Sequence, residues 1–500
     1  MDHIETPMPQ PFRSQPAPCQ TVTATEWELA AVEAARGRFE LFSLWGAEDA
    51  VHMALRQVES GRMEILCLPL TDGAFPSVAA QHPAAARLER SITDLFGHLA
   101  IGTPDARPWL DHGRWGIAAP LGAAAPGPEL APYEFLPVEG ESLNQVPVGP
   151  VHAGIIEPGH FRFTAQGETL VRLEARLGYT HKGVDALMRG ASLAHGAELA
   201  GRVSGDSTVA WAWAFAQAAE AALAAGVPAR ALYLRTIMAE LERLANHIGD
   251  IGGVCNDAAF AMMLAHCSAL REEVLRAAEA AFGHRYMRDR IVPGGVTHDL
   301  DSAGRSAIAA LMAHLRDRFP ALIALYDSTA SLLARTVTTG RLATEHARRF
   351  AAGGFVGRAS GRDFDTRRDC PYAPYDELTF SVPTRAEGDV NARVWIRIRE
   401  VEQSLALIEQ CLARLPEGPI FTPLAPADAP RIGLGLVESF RGDVLVWLAL
   451  GADGRITRCH LRDPSWFHWP LLESVIEGNI IADFPICNKS FNCSYSGHDL

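Results

Sequence analysis

Five long stretches, 192–225, 229–252, 256–283, 301–336 and 388–414, carry apolar residues at helical spacing and are rich in Ala, Leu, Glu and Arg. Helices of that length bury their apolar faces only against one another, so a bundle must form the centre of the fold. None reads as a membrane span. The most apolar run, Val209 to Ala225, carries Gln217 and Glu220 and sits at the short limit of about 17 residues for a span. The chain has 500 residues, room for roughly three domains. It is large enough to need no disulfide staples, and its nine cysteines are sparse and odd in number, which fits a reducing compartment. A net charge of −14 argues against a general nucleic-acid binder, and no nucleic-acid partner is expected.

Residues 1–22 read as a flexible, polar, Pro-rich leader without the charged and apolar regions of a signal peptide. Residues 23–116 read as a small α/β domain. Its expected elements are a helix at Trp27–Arg36, a strand at 39–46, a helix at Ala50–Glu59, a strand at 63–70 and a helix at Ala84–Phe96 closed by Gly97. Residues 117–147, rich in Pro, Gly and Ala, read as a linker, and 148–500 as the bundle domain with short strands at its start. The segment 433–463 alternates and carries an Ala-Asp-Gly-Arg turn, so it reads as a β-hairpin, while 464–500 shows no clear period. The fold class is therefore α+β: a small α/β N-terminal domain, then a mainly helical-bundle domain with flanking β-structure.

Common catalytic signatures are missing. GGFVGRASG (353–361) lacks dinucleotide spacing and a phosphate-binding Lys, so it reads as a plain loop. The sequence has no G-x-S-x-G, H-E-x-x-H or C-x-x-C, and Cys487 and Cys493 do not have metal-site spacing.

The informative segments are GPVHAGIIEPGHFRF (149–163), RLGYTHKGVDALMRG (176–190), LRTIMAELERLANHIGDIG (234–252), DRIVPGGV (289–296), RRDCPYAPYDEL (367–378), GDVNARVWIRIREVEQSL (388–405), DPSWFHWPLLESVIEGNIIADFP (463–485) and NKSFNCSYSGHDL (488–500). In this order they resemble the large subunit of group 4 nickel–iron hydrogenases, of the formate hydrogenlyase and hydrogenase-4 type. That family is homologous to the D-type subunit of NADH-quinone oxidoreductase, complex I. Residues 75–115 are similar to the C-type subunit of complex I, so the chain looks like a fused C-like and D-like protein from about residue 25 to 500.

The resemblance implies four nickel-binding thiolates, and the sequence lacks them. RVSGDS (202–207) places Ser204 and Ser207 at the first pair of positions, and NCSYSG (492–497) places Ser494 and Gly497 at the second, with Cys493 one position off register. Serine is a poor ligand for a soft metal site and glycine offers none, so no nickel–iron centre and no metal are expected in this chain. The ending at Leu500, without the extension that the family trims, carries the same expectation. In the D-type subunit of complex I the vacated cavity takes quinone. The tyrosine that holds the head group there aligns with Gly205, and His152 matches the first histidine of the hairpin pattern, with Ile156 at the second.

Asp206, Glu157 and His152 are the candidate catalytic residues, as a proton relay. Asp206 is expected to be a buried carboxyl of raised pKa, or else paired with Arg202 or another local Arg. Glu157 matches the proton-relay glutamate of hydrogenases, or pairs within its loop; His152 and His160 are relay groups or satisfied loop histidines. Arg202, Arg243 and His247 are the candidate cofactor-facing residues. Arg202 faces a partner's cluster or closes a salt bridge. Arg243 and His247 share a helix face that lines the central cavity in the family, or form a helix-surface pair. Asp463 and Asp499 are expected to be structural, and Trp211 and Trp213 core.

The resemblance implies a peripheral-arm subunit on the cytoplasmic side of the cell membrane, in a complex I-like or hydrogenase-related redox complex. Its partners would be a small iron–sulfur protein of the complex I B type, holding a 4Fe–4S cluster, together with antiporter-like membrane proteins and one of the complex I H type. This chain would bind no cluster of its own, and a quinone is the implied acceptor. Two alternatives stay open: a non-catalytic coupling or scaffold subunit, and a hydrogenase with an unusual metal site.

Overall fold

The computed structural model describes residues 19–127, 131–140, 142–154 and 156–500. The expectation of a leader over 1–18 lies outside the described residues.

The N-terminal part is a four-stranded sheet in the order Cys19–Thr21, Met63–Pro69, Ala50–Gln57, Phe39–Gly46. The helices Ala24–Ala35 and Ala86–Phe96 cover one face through Trp27, Leu88 and Ile92. Thr23 and Glu26 form a reciprocal capping box at the first helix, and Gly97, with φ +75°, ends the second. The helix expected at Ala50–Glu59 is corrected: Ala50–Gln57 is a strand. AVHMALRQ is made of good helix formers, and with six consecutive buried residues it shows no strand alternation. Pairing on both sides, to Phe39–Gly46 and Met63–Pro69, overrides local propensity.

The bundle is organised on the helix Ala229–Asp257, which packs against Ala261–Phe282 and Val390–Arg414 and is buried on nearly every side. The stretch 192–225 is not one helix. It splits into Leu193–Ala200 and Thr208–Ala222, with one 3-10 turn at Gly205–Ser207 between them. The break holds Gly, Ser and Asp, residues that do not favour a continuing helix. Trp211 and Trp213 are fully buried in the second helix.

The segment 433–463 has one more turn than the single hairpin expected. Arg431–Ser439, Gly442–Leu450 and Ile456–Arg462 form an antiparallel meander, with a tight turn at Phe440 and Arg441. Gly433 and Gly435 let the Thr208–Ala222 helix lie against it. A Cβ at either would stand 1.9 Å from the carbonyl oxygen of Ala218 or Ala214. The alternate residues, Leu434 and Leu436, pack with Phe42, Trp45, Ala54 and Ile65 of the N-terminal sheet. Leu143–Val148, from the segment read as a linker, pairs with His160–Gln166. The tail forms helices at Ser465–Val475, Phe484–Phe491 and Tyr495–Asp499.

Candidate functional site

Four pieces of chain converge where the family's two motifs meet: the 3-10 turn around Asp206, the turn at Arg441, the Asp463–Ser465 corner and the Asn492–Gly497 segment. Asp206 Oδ1 accepts hydrogen bonds from Ser204 Oγ at 2.7 Å and Ser207 Oγ at 3.2 Å. Arg441 grips the same carboxylate with both terminal nitrogens, Nη1 to Oδ1 at 2.8 Å. Arg441 is 3% exposed and the Asp206 side chain 35%. Burial works to raise the Asp206 pKa, but Arg441 and the two hydroxyls outweigh it and hold the carboxyl at about 2. The expected raised pKa is therefore corrected, and the partner of Asp206 is Arg441 rather than Arg202.

Ser494 Oγ lies 3.1 Å from Ser204 Oγ and accepts the Gly497 N–H at 2.8 Å as the cap of the last helix. The Ser494 N–H donates to Ser465 Oγ at 2.8 Å, and the Ser465 N–H to Asp463 Oδ1 at 2.9 Å.

Behind Asp206, Glu242 accepts the Val209 N–H at 2.8 Å and the Ala210 N–H at 3.1 Å, at the start of the Thr208–Ala222 helix. Burial pushes its carboxyl up to about 8 despite those bonds, so it keeps its proton at neutral pH. Asn246 Nδ2 joins the two residues through the backbone carbonyls of Asp206 and Glu242.

Deeper still, Glu240, Asp365, Glu400 and Glu438 face Arg243, Arg358, Arg367 and His247, all nearly inaccessible. Arg243 Nη1 donates to the Ser439 carbonyl at 2.9 Å and Nη2 to the Glu438 carbonyl at 2.8 Å. Arg358 Nε donates to Glu400 at 2.9 Å and Nη1 to Glu438 at 2.9 Å, while His247 Nε2 is 2.7 Å from Glu400. Arg367 bridges Asp365 and Glu240. Buried charges survive only when paired in this way, and the pairing fixes the strand end that leads into Arg441. GGFVGRASG is corrected from a plain loop to the short helix Gly354–Ala359. Gly354 has φ +60°, and a Cβ there would meet the Arg441 carbonyl oxygen at 2.0 Å, so this glycine seats the turn.

The other expected residues lie around this centre. Arg202 is exposed and pairs with Asp289 at 2.7 Å. Glu157 is exposed and accepts the Ser496 N–H at 3.3 Å, and His152 Nε2 is 2.8 Å from the Gly159 carbonyl in its own loop. Among the described residues no hydrogen bond joins either of them to Asp206. Arg243 and His247 face inward to the buried charges, so neither a helix-surface pair nor a cavity wall describes them. Asp463 and Asp499 are buried and bond the backbone of Ser465 and Thr180. Arg441 and Glu242 were missed. Their signals were the Arg-Gly-Asp turn at 441–443 and the run of charges in ELERLANH (240–247).

These residues do not fit a nickel–iron centre. The serine hydroxyls are engaged with Asp206, with one another and with a helix cap, and they are hard, neutral donors. A Cβ on Gly497 would stand 2.5 Å from Asp463 Oδ2 and 2.8 Å from Ser494 Oγ, so a cysteine has no room there. Arg441 and the ionised Asp206 fill the centre with a charge-balanced ion pair.

A family model described as the respiratory-chain NADH dehydrogenase 49 Kd subunit matches residues 257–431. Formate hydrogenlyase subunit 5 of Escherichia coli (strain K12) is 32% identical over 439 residues, 85% of this chain and 77% of that protein. The chain belongs to this large-subunit family, shared by complex I-like and group 4 hydrogenase complexes. Hydrogenase-4 component G of the same organism is 30% identical, covering 90% of this chain and 80% of that protein. The D 1 subunit of NADH-quinone oxidoreductase from Roseiflexus sp. (strain RS-1) is 32% identical, covering 68% and 94%. A chain of the membrane-bound sulfane sulfur reductase, an archaeal respiratory membrane complex, shares the fold with a TM-score of 0.68 at 24% identity, over 73% of this chain and all of that one. Among the described residues no helix of this family member is long and apolar enough to cross a membrane.

Proposed function

We propose that this chain is a peripheral-arm subunit of a membrane-associated complex I-like or hydrogenase-related oxidoreductase that passes electrons toward a quinone-like acceptor, coupled to ion translocation, without a nickel–iron centre. The observation that carries this reading is the Asp206–Arg441 pair, standing where the family's two motifs meet. It puts a buried guanidinium and a carboxylate whose side chain is 35% exposed where a metal-bearing relative would need soft donors. Electrons would come from a 4Fe–4S cluster in a small partner protein of the complex I B type. Antiporter-like proteins and one of the complex I H type would complete the membrane arm, with this chain on the cytoplasmic face.

In this reading Arg441 supplies the positive charge that favours a reduced, anionic acceptor, and Asp206 orients Arg441 rather than giving up a proton. Glu242 is the carboxyl that holds a proton at neutral pH. Glu157, which accepts the Ser496 N–H, and His152 would pass a proton inward from solvent, and Arg202 is exposed and paired with Asp289. Arg243 acts through the strand end it fixes at Glu438 and Ser439, and His247 through Glu400.

Quinone titration of the assembled complex, with the partner clusters pre-reduced, tests this. Quinone-dependent reoxidation that is lost in Arg441→Gln supports it. Reoxidation that ignores quinone in an intact complex would leave this chain a coupling or scaffold subunit.

A further inference from the structure

Away from that site, one face of the N-terminal sheet brings Cys19, His52 and Cys67 together. The strand register does this. His52 is directly opposite Cys67, and Cys19 is opposite Ile65, two residues before Cys67 on the same strand. Side chains alternate along a strand, so all three project from one face. Their two sulfurs and one ring nitrogen lie within 4.8 Å of one another. Ligand atoms around tetrahedral zinc, at bond lengths of about 2.3 Å to sulfur and ~2.0–2.1 Å to nitrogen, stand roughly 3.5–3.8 Å apart, within reach of small side-chain rotations.

His52 is held in place for such a role. It is 6% exposed, and Trp45 stacks on it at 5.3 Å with the planes 7° apart. His52 Nδ1 is buried and has no hydrogen-bond partner among the described residues. A buried nitrogen in that state is costly unless something bonds it. Cys19 and Cys67 are half-buried, so a dissolved ion can reach them.

A Cys19–Cys67 disulfide is the rival use of these thiols, and the register opposes it. With strands about 4.8 Å apart and a rise of about 3.3 Å per residue, the two Cα atoms are roughly 8 Å apart, beyond the ~6.8 Å that a disulfide spans. We propose that Cys19, His52 and Cys67 bind one zinc-class ion, with water or a partner's group in the fourth position. The ion ties the three-residue strand Cys19–Thr21, otherwise held at the sheet edge by one neighbour, to the middle of the sheet.

The test uses the full chain in its assembled complex, purified without chelator. Metal analysis should find about one zinc per chain, falling to about a tenth in Cys19→Ser and in Cys67→Ser. On the unaltered chain, chelation should raise alkylation of both cysteines about tenfold, and cobalt(II) exchange should produce a thiolate-to-cobalt charge-transfer absorption. Zinc unchanged in both variants, both thiols fully alkylated in a zinc-free chain as isolated, or a Cys19–Cys67 disulfide found by mass spectrometry would each overturn the site.

Discussion

Asp463 and Gly497 stand so close that the Asp463 Oδ2 atom lies 2.5 Å from where a Cβ on residue 497 would be. Any side chain at 497 would have to displace the buried Asp463 carboxylate and the Ser494 hydroxyl. Gly497→Ala should therefore lower the stability of the complex by about 1–3 kcal/mol through overpacking. Thermal melting of the assembled complex measures this. Placing cysteine at 204, 207, 494 and 497 together should yield no bound nickel on metal analysis and no cyanide or carbonyl bands in the infrared.

Asp206→Asn removes half of a pair whose other half is buried. Losing a partner from a fully buried pair costs about 3–5 kcal/mol, but the Asp206 side chain is 35% exposed, so solvent screening reduces the expected loss to about 1–3 kcal/mol. Because Asp206 is ionised well below neutral pH, turnover of the unaltered complex should show no titration from it between about pH 5 and 8. A pH–rate profile whose lower limb in that range disappears in Asp206→Asn would overturn this assignment.

Glu242 makes a pH signature of its own. Its folded pKa is about 8 and its ordinary value is 4.5. Between those two values the folded state holds a proton that the unfolded state has released, so stability falls as pH rises through this window, by up to about 1.4 kcal/mol per pH unit. Glu242→Gln keeps the shape and removes the titratable proton, although its single amide oxygen can accept only one of the Val209 and Ala210 N–H groups. It should flatten the decline, read as melting temperature against pH for the two proteins side by side.

Glu400 receives Arg358 on one oxygen and His247 on the other. Glu400→Gln leaves a buried guanidinium short of its counter-charge. We expect a loss of about 3–5 kcal/mol, seen as failure to assemble or a sharp drop in melting temperature.

Val151 is 88% exposed and Ile156 42%, both on the loop that carries Glu157. Exposed apolar side chains beside the site suit a contact with a partner protein. Val151→Asp with Ile156→Asp should weaken retention of a neighbouring subunit when the complex is pulled down, while leaving the fold, by circular dichroism, unchanged.

Local sequence settled a good deal. The long periodic stretches located the helical bundle, though 192–225 breaks into two helices, Gly97 and Ala-Asp-Gly-Arg marked turns, and the order of motifs identified the family. The resemblance also led to the expectation that Ser204, Ser207, Ser494 and Gly497 stand at the thiolate positions, because the absence of a sulfur donor is a property of the residue itself. Ala50–Gln57 was misread for the opposite reason: its residues favour a helix, and only two neighbouring strands, distant in sequence, make it a strand.

The tertiary structure alone decided which charges meet at the site. Asp206 and Arg441 are separated by 235 positions, and neither announces the other. The same holds for protonation. Burial raises Glu242 and would raise Asp206, but only the guanidinium beside Asp206 reverses the sign. Composition and spacing describe what each residue can do; charge pairing and desolvation depend on distances of a few ångströms between segments, and those exist only once the chain has folded.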